Sequence, residues 1–557
     1  MRALSPLLPS FAPLALAVLL SSPPASAQSS RALLLEGDEI FGVGAVTGIQ
    51  TFSINDNGEW LIVAETDAPA GVNVVVLRDG IPTFQEGDLV STPPGATMAS
   101  VSYPSFNRSG EIGWYMGLGN TNPNGDAGAF FNSRCLVREG TLSSASGFTP
   151  GTFYKAFVNV RINDGRQILC QASVDDPAVA TSGDAAIVLL TLDESGYLLS
   201  EELLMVEGTA YDGLDPVNLL GSGTHTLAFN NRGDFLTFVS TTASSSYDGN
   251  IFYNWDSVAR EGTLSPVPPR TWASLMSPRI DLNDYGDYVY TGTLSGDGET
   301  NLIIVKNTAK FMQKGDVVES VAPYYAQNFF SAPVNVTNGG KVVWFGQFSD
   351  PDASRNKGIF VDGEIVAQIG VTRVEGRFIK SINTFAESFD VPPQGRYLIY
   401  TGTLDDTRAG VFLIDLGEIS PMESCYGNTG KLTHESGFAL LGRRLTFQMD
   451  QGQGYGVTPI FLLSSLPIAG WPPCGLDAGP VGELLIDLSG ANGNPVYYAL
   501  GTPWAGAPVA HRLDIPNDAN LVGLELFAQG LFWDIGNHIP EQNLLLTNAV
   551  HIVIAAP

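Results

Sequence analysis

Five histidines occur in the 557 residues: His225, His434, His511, His538 and His551. Only His225 lies in the part of the chain that repeats, so a Ser–His–Asp relay there would have to use it. No Gly-x-Ser-x-Gly turn presents a serine to such a relay. No His-Glu-x-x-His pair occurs, and one histidine cannot make a three-histidine zinc site. Carboxylates are plentiful, and a pair of them could do glycosidic acid–base work. But 57 acidic side chains make chance pairs common. Glu36, Glu86, Glu139, Glu207 and Glu261 stand at equivalent places in a repeat, which predicts a structural duty such as accepting backbone N–H groups at a strand end. Asp350-Pro-Asp352 and Asp297-Gly-Glu299 offer loop oxygens to calcium without an EF-hand spacing, and solvated acidic loops are the simpler reading. Trp60, Trp114, Tyr290, Trp344 and Tyr400 recur just after the repeat turns. Exposed, they could form a sugar platform; buried, they would be packing groups, which their recurrence on strands favours. No catalytic residue and no cofactor site is assigned, and calcium is the one metal the sequence suggests.

Lys and Arg total 28, giving a net charge of −29. That balance excludes the basic stripe nucleic acid requires and disfavours an anionic lipid surface. Arg2, the apolar run over residues 11–20 and Ala25-Ser26-Ala27 form the pattern of a signal peptide cleaved after Ala27. No later run is long enough to span a bilayer. The mature chain is expected outside the cytoplasm, secreted or at a periplasmic or cell surface. Four cysteines in an oxidising compartment predict pairing within each domain, Cys425–Cys474 and Cys135–Cys170.

The elements that must position any site come from an internal repeat. An Asn-x-x-Gly turn precedes an apolar run at Asn55-Asp-Asn-Gly58, Asn107-Arg-Ser-Gly110, Asn230-Asn-Arg-Gly233 and Asn283-Asp-Tyr-Gly286. Asn163-Asp-Gly165 reads as a shortened copy. Thr337-Asn-Gly-Gly340 and Pro392-Pro-Gln-Gly395 lose the Asn but keep the Gly and the strand. The seven copies lie 52 to 67 residues apart. Asn and Gly suit a tight reversal, because Asn bonds its own backbone and Gly accepts positive φ. A second signal, Glu-Gly-Asp or a variant, alternates with the turns at Glu36, Glu86, Glu139, Glu207, Glu261, Lys314 and, degenerate, Gln368.

The second signal comes first in the chain and the turn signal comes last. The final repeat therefore lacks an outer strand, and the mature N-terminus carries a spare one. Seven complete units result if residues 33–38 pair with residues 408–416. The expected fold is all-β: a seven-bladed β-propeller over residues 28–418, closed by its N-terminal strand, and a β-sandwich over residues 419–557. A pair of β-sandwiches is the alternative for the repeat region.

Ile515-Pro-Asn-Asp518 followed by Leu524-Glu-Leu-Phe-Ala-Gln529, after an opening Cys425-Tyr-Gly427, resembles the last domain of secreted, repeat-rich bacterial proteins. The Asn-x-x-Gly units resemble the propeller-like repeats found before that domain. The resemblance implies export and architecture, and no reaction. Function then reads as a secreted, non-catalytic binding protein, with the propeller as scaffold for an unknown glycan or protein ligand. The alternatives are an extracellular hydrolase or lyase acting on carbohydrate at an acidic site in the ring centre, and a structural envelope component.

Overall fold

The computed structural model describes residues 30–177, 185–221, 225–275, 278–329, 332–384, 388–422, 425–451, 457–472, 474–489, 496–534 and 544–556. The expected signal peptide lies outside them. The chain is all-β, built of many small antiparallel sheets. Seven of these, each of four to six strands, follow one another over the repeats. The second is typical: Thr97–Phe106, Ile112–Gly119, Ala127–Phe131 and Arg134–Arg138, in that order from inner to outer strand.

The strand that follows each repeat turn is largely apolar on both faces. Trp60–Thr66 reads WLIVAET and Phe235–Thr241 reads FLTFVST, and both are almost wholly buried. Such unbroken runs mark strands covered on two sides. The cover comes from the neighbouring sheets. Leu61, Val63 and Val76 of sheet one share a cluster with Trp114, Met116 and Phe130 of sheet two. Every consecutive pair of sheets has such a cluster. Ile399, Val411 and Leu413 of sheet seven meet Ile54, Trp60 and Ile62 of sheet one in the same way.

The strand Arg31–Leu35 belongs to sheet seven. It pairs antiparallel with Ala409–Asp415, with Arg31 opposite Leu413 and Leu35 opposite Gly410. The Glu36 backbone N–H donates to Ala409 O, and the Ala409 N–H donates to Glu36 Oε2. The same duty falls to Glu207, which accepts from the N–H groups of Ala185 and Leu220, and to Glu261, which accepts from Gly249 and Leu275. Glu36, Glu207 and Glu261 thus hold outer strands, whereas Glu139 faces the Asp126 carboxyl and the buried Glu86 Oε2 accepts no hydrogen bond.

The third repeat is not shortened. Arg166 takes the place of the turn glycine with φ 54°, beside Gly58, Gly110 and Gly233 at φ 77–85° in the other turns. An i+4 polar partner follows at Gln167, as Glu59 follows Asn55.

Beyond Asp415 the chain forms other sheets. Glu418–Pro421, Leu544–Val553, Glu525–Trp533, Thr458–Ser464 and Val496–Leu500 form one sheet, and Lys431–Ser436, Arg444–Asp450 and Val509–Asp514 a second. Phe447 and Met449 of the second share a core with Phe461, Phe532 and Val550 of the first. Cys425 and Cys474 form a disulfide, Cα–Cα 5.2 Å, and buried Glu483 accepts from the N–H groups of Cys425, Tyr426 and Gly475.

Cys135 and Cys170 are not joined, which corrects the expected second disulfide. Cys135 sits on the outer strand of sheet two, its thiol on Val137 O. Cys170 is buried on the second strand of sheet three, among Ala172, Val188 and their neighbours. Different sheets and different depths separate them. Burial pushes both thiols up, Cys135 to about 12. Two thiols per chain should therefore titrate with a disulfide-exchange reagent only after denaturation; a denatured chain with no free thiol would overturn the assignment.

Candidate functional site

The inner strands of the seven sheets run into their Asn-x-x-Gly turns around one cavity of about 200 Å³, to which all seven repeats contribute side chains. The repeat asparagine is the joint between sheets. Asn55 Oδ1 accepts from the N–H groups of Asn57 and Glu59 in its own turn, while its Nδ2 donates to Asn107 O in the next. Asn107 reaches Asn163 O, Asn163 reaches Asn230 O, Asn230 reaches Asn283 O, and Asn283 reaches Thr337 O. All five asparagines are at most 4% exposed. Only a side chain with both an acceptor and a donor can serve its own turn and its neighbour at once. Thr337 keeps the first half, accepting from the Lys341 N–H, and Pro392 keeps neither.

Two tiers of side chains flank the asparagines. The first is the residue after each: Asp56, Arg108, Asp164, Asn231, Asp284, Asn338 and Pro393. Here the N–H of Arg108 donates to Asp164, that of Asp164 to Asn231, that of Asn231 to Asp284 and that of Asp284 to Asn338. Asn338 N–H donates to Pro393 O, and Gln394 N–H to Asp56, which carries the circuit from the last repeat to the first. At the step from Asp56 to Arg108 a guanidinium cannot accept, and Asn57 Nδ2 donates to Arg108 O instead.

The second tier lies two residues before each asparagine: Ser53, Ser105, Arg161, Ala228, Asp281, Asn335 and Asp390. Asp281 Oδ2 accepts from the Val336 N–H and Asn335 Nδ2. Asp390 Oδ2 accepts from the Ile54 N–H and Ser53 Oγ. Ser105 Oγ accepts from the Ile162 N–H.

Burial and like charge set the acidity of this tier. Desolvation pushes Asp281 up to about 7, its hydrogen bonds oppose that, and the charge of Asp390 adds to it. Desolvation also raises Asp390, against its hydrogen bonds and the charge of Arg161. Asp56 rises to about 6, again by burial, with Asp164 and Asp284 adding repulsion and Arg108 relieving part of it. Asp281 thus holds a proton in the folded chain that an unfolded aspartate, titrating near pH 4, has released. Its contribution to stability is full below that value and falls as pH rises towards 7. Asp281→Asn should narrow the difference in Tm between about pH 5 and pH 8, and an unchanged pH profile would refute the assignment.

The residues the sequence singled out lie mostly elsewhere. His225 lines the cavity. His434, His511 and His551 belong to the C-terminal sheets, and His538 lies outside the described residues. His551 sits between Glu418 (3.7 Å) and Glu525 (3.1 Å), and His511 stacks on Phe461. Trp60, Trp114, Tyr290, Trp344 and Tyr400 are all buried between sheets, at most 7% exposed. Trp114 and Trp344 donate from Nε1 to Asn132 O and Asp362 O, which makes them packing groups with a satisfied polar edge. In the proposed calcium loops, Asp350 accepts from the Asp352 N–H and pairs with Arg355, while Asp297 accepts from the Glu299 N–H. Among the described residues no three His, Cys, Asp or Glu side chains gather as a metal site. Asp281, Asp390 and Arg161 escaped the sequence reading. Their signal was there: aligned on the turn asparagine, the position two before it reads Ser, Ser, Arg, Ala, Asp, Asn, Asp.

No family model matches the sequence, and no curated protein matches it. The chain is similar in structure to a puromycin hydrolase at 11% identity and a TM-score of 0.34. That match covers 72% of this chain but only about half, 53%, of the hydrolase. A gluconolactonase from Xanthomonas campestris matches at 9% identity and a TM-score of 0.25, over 71% of this chain and 98% of its own. Trypanosoma rangeli sialidase matches at 10% identity and a TM-score of 0.26, over 95% and 92%.

Proposed function

We propose that this chain is an exported seven-bladed β-propeller followed by a β-sandwich, and that it acts on carbohydrate at the centre of the ring, as a hydrolase or lyase. One observation carries the reading: Asp281 and Asp390 reach the same cavity from two sheets, and burial holds both above the usual carboxylate range. A carboxyl poised near neutrality can give a proton to a leaving oxygen, and an ionised partner can take one or stabilise positive charge. Pairs of carboxylates whose environments separate their acidities are the working parts of glycosidic chemistry. The leader-like residues 1–27 and the Cys425–Cys474 disulfide support a workplace outside the cytoplasm.

A second reading, a binding protein without catalysis, is favoured by a different observation. One oxygen of each aspartate is already engaged by the neighbouring sheet. Incubation with a panel of neutral and acidic polysaccharides separates the two. Reducing ends report hydrolysis, and ultraviolet absorbance reports the unsaturated product of a lyase. Turnover is expected, with a loss of about a hundredfold or more in Asp281→Asn and Asp390→Asn. Sugar binding without turnover on any substrate would replace the enzyme with the binding protein.

A further inference from the structure

The geometry points to a binding channel longer than the carboxyl cavity: a second pocket adjoins it past Tyr103, and together they hold successive units of a neutral sugar chain, with the Tyr103 ring as the wall on which a unit stacks. The inference rests on the carbohydrate reading above and narrows its substrate to a chain rather than a single sugar. Tyr103 is held in a backbone conformation that its type avoids. Its φ is 49°, and among the described residues it is the only non-glycine with positive φ inside a strand, the others lying in turns or bends. Pro104 follows and pushes a preceding residue towards extended backbone, so nothing local favours this conformation. Ser102 faces Tyr115 and Ser105 faces Gly113, so Tyr103 and Pro104 together oppose Trp114 in a bulge. Bulges re-aim side chains, and strained residues cluster where a ligand is held.

Packing does not call for the aromatic ring. Four residues before the turn, the other repeats carry Thr51, Asn159, Thr226, Arg279, Pro333 and Ser388. Thr51, Asn159, Thr226 and Ser388 are at most 4% exposed, whereas Tyr103 is 37% exposed. With Phe52 it lines both the central cavity and a second pocket of about 400 Å³ between sheets one and seven. The polar side chains of that pocket are mostly uncharged: Gln50, Asn383 and Thr401, besides Glu36, which already accepts from the Ala409 N–H. Amides and hydroxyls both donate and accept, as sugar hydroxyls require. An anion is disfavoured in the adjoining cavity. Arg108 and Arg161 already act on Asp56 and Asp390 there, and Asp164, Asp281 and Asp284 add further acids. An aromatic wall with a few convergent polar groups is the usual make-up of a small-ligand site.

Titration calorimetry of the whole chain tests this with xylo-, cello- and manno-oligosaccharides of one, two and three units, and with an oligogalacturonate of three units alongside. In at least one neutral series affinity should rise about tenfold or more from one unit to three. Tyr103→Ala should flatten that rise, and Tyr103→Phe, which keeps the ring, should retain it. Tyr103→Gly relieves the backbone strain and gives the same readout if Tyr103→Ala melts early. Tyr498→Ala, which removes an exposed tyrosine on the C-terminal sheets, should leave the rise intact. Affinity that does not depend on length, binding confined to the oligogalacturonate, or a rise that survives both Tyr103→Ala and Tyr103→Gly overturns the inference and leaves the carbohydrate reading standing. No binding and no cleavage of any sugar overturns both.

Discussion

A chain lacking residues 30–35 should unfold at a markedly lower urea concentration than the chain that keeps them, through a broader transition. The strand Arg31–Leu35 is only five residues long, but it covers the edge of Ala409–Asp415 and buries Leu34 and Leu35. Burying a leucine contributes about 1.5–3 kcal/mol, and the exposed ladder adds to the loss. A total on the order of 5 kcal/mol is a large share of the 5–15 kcal/mol that holds a typical domain. Leu34 also helps build the cluster in which Ile399 and Val411 meet Ile54 and Trp60, so sheets one and seven lose their contact together. Unfolding followed by circular dichroism measures this. A synthetic peptide of residues 30–38 should restore part of the midpoint. An unchanged midpoint in the truncated chain would show that the sheets do not depend on this pairing.

Asn230→Ala should cost about 3–5 kcal/mol, the range expected when several buried hydrogen bonds are lost and their partners are left unpaired. Its Oδ1 accepts from the N–H groups of Arg232 and Asp234, and its Nδ2 donates to Asn283 O and Asp234. Removing it strands two N–H groups in its own turn and a carbonyl in the next sheet. Asn57→Ala is the matched control. Its amide is exposed and donates once, to Arg108 O, so its cost should stay below about 1 kcal/mol. The comparison is read from urea midpoints of the two variants. Equal costs would mean that the repeat asparagine is a turn former alone and carries nothing between sheets.

The repeat was legible because its residues answer to backbone geometry. Gly58 and Gly110 sit at positive φ, and Asn55 bonds its own turn. The alternating order of the two signals likewise pointed to the pairing of residues near 33 with residues near 410, because that inference needs only the order of the elements. Three things were hidden. Arg166 adopts a conformation usually left to glycine, so the third turn looked one residue short. The link from each asparagine to the next repeat spans some fifty residues and leaves no local trace. Cys135 and Cys170 look paired when cysteines are counted, but their strands lie in different sheets at different depths. The candidate site was hidden for a related reason. Asp281 and Asp390 are unremarkable aspartates in sequence, and only convergence of the inner strands gives them a common cavity and a raised acidity.

The order of synthesis gives the strand at residues 31–35 an unusual history. It is made early, yet its partner at residues 409–415 follows more than 370 residues later. At about 5–20 residues per second the wait is on the order of twenty seconds to over a minute, far longer than a hairpin takes to form. As the chain is made, the six preceding sheets can gather while this segment remains unmatched. The last step of folding is then a clasp that snaps shut between the two ends of the repeat region.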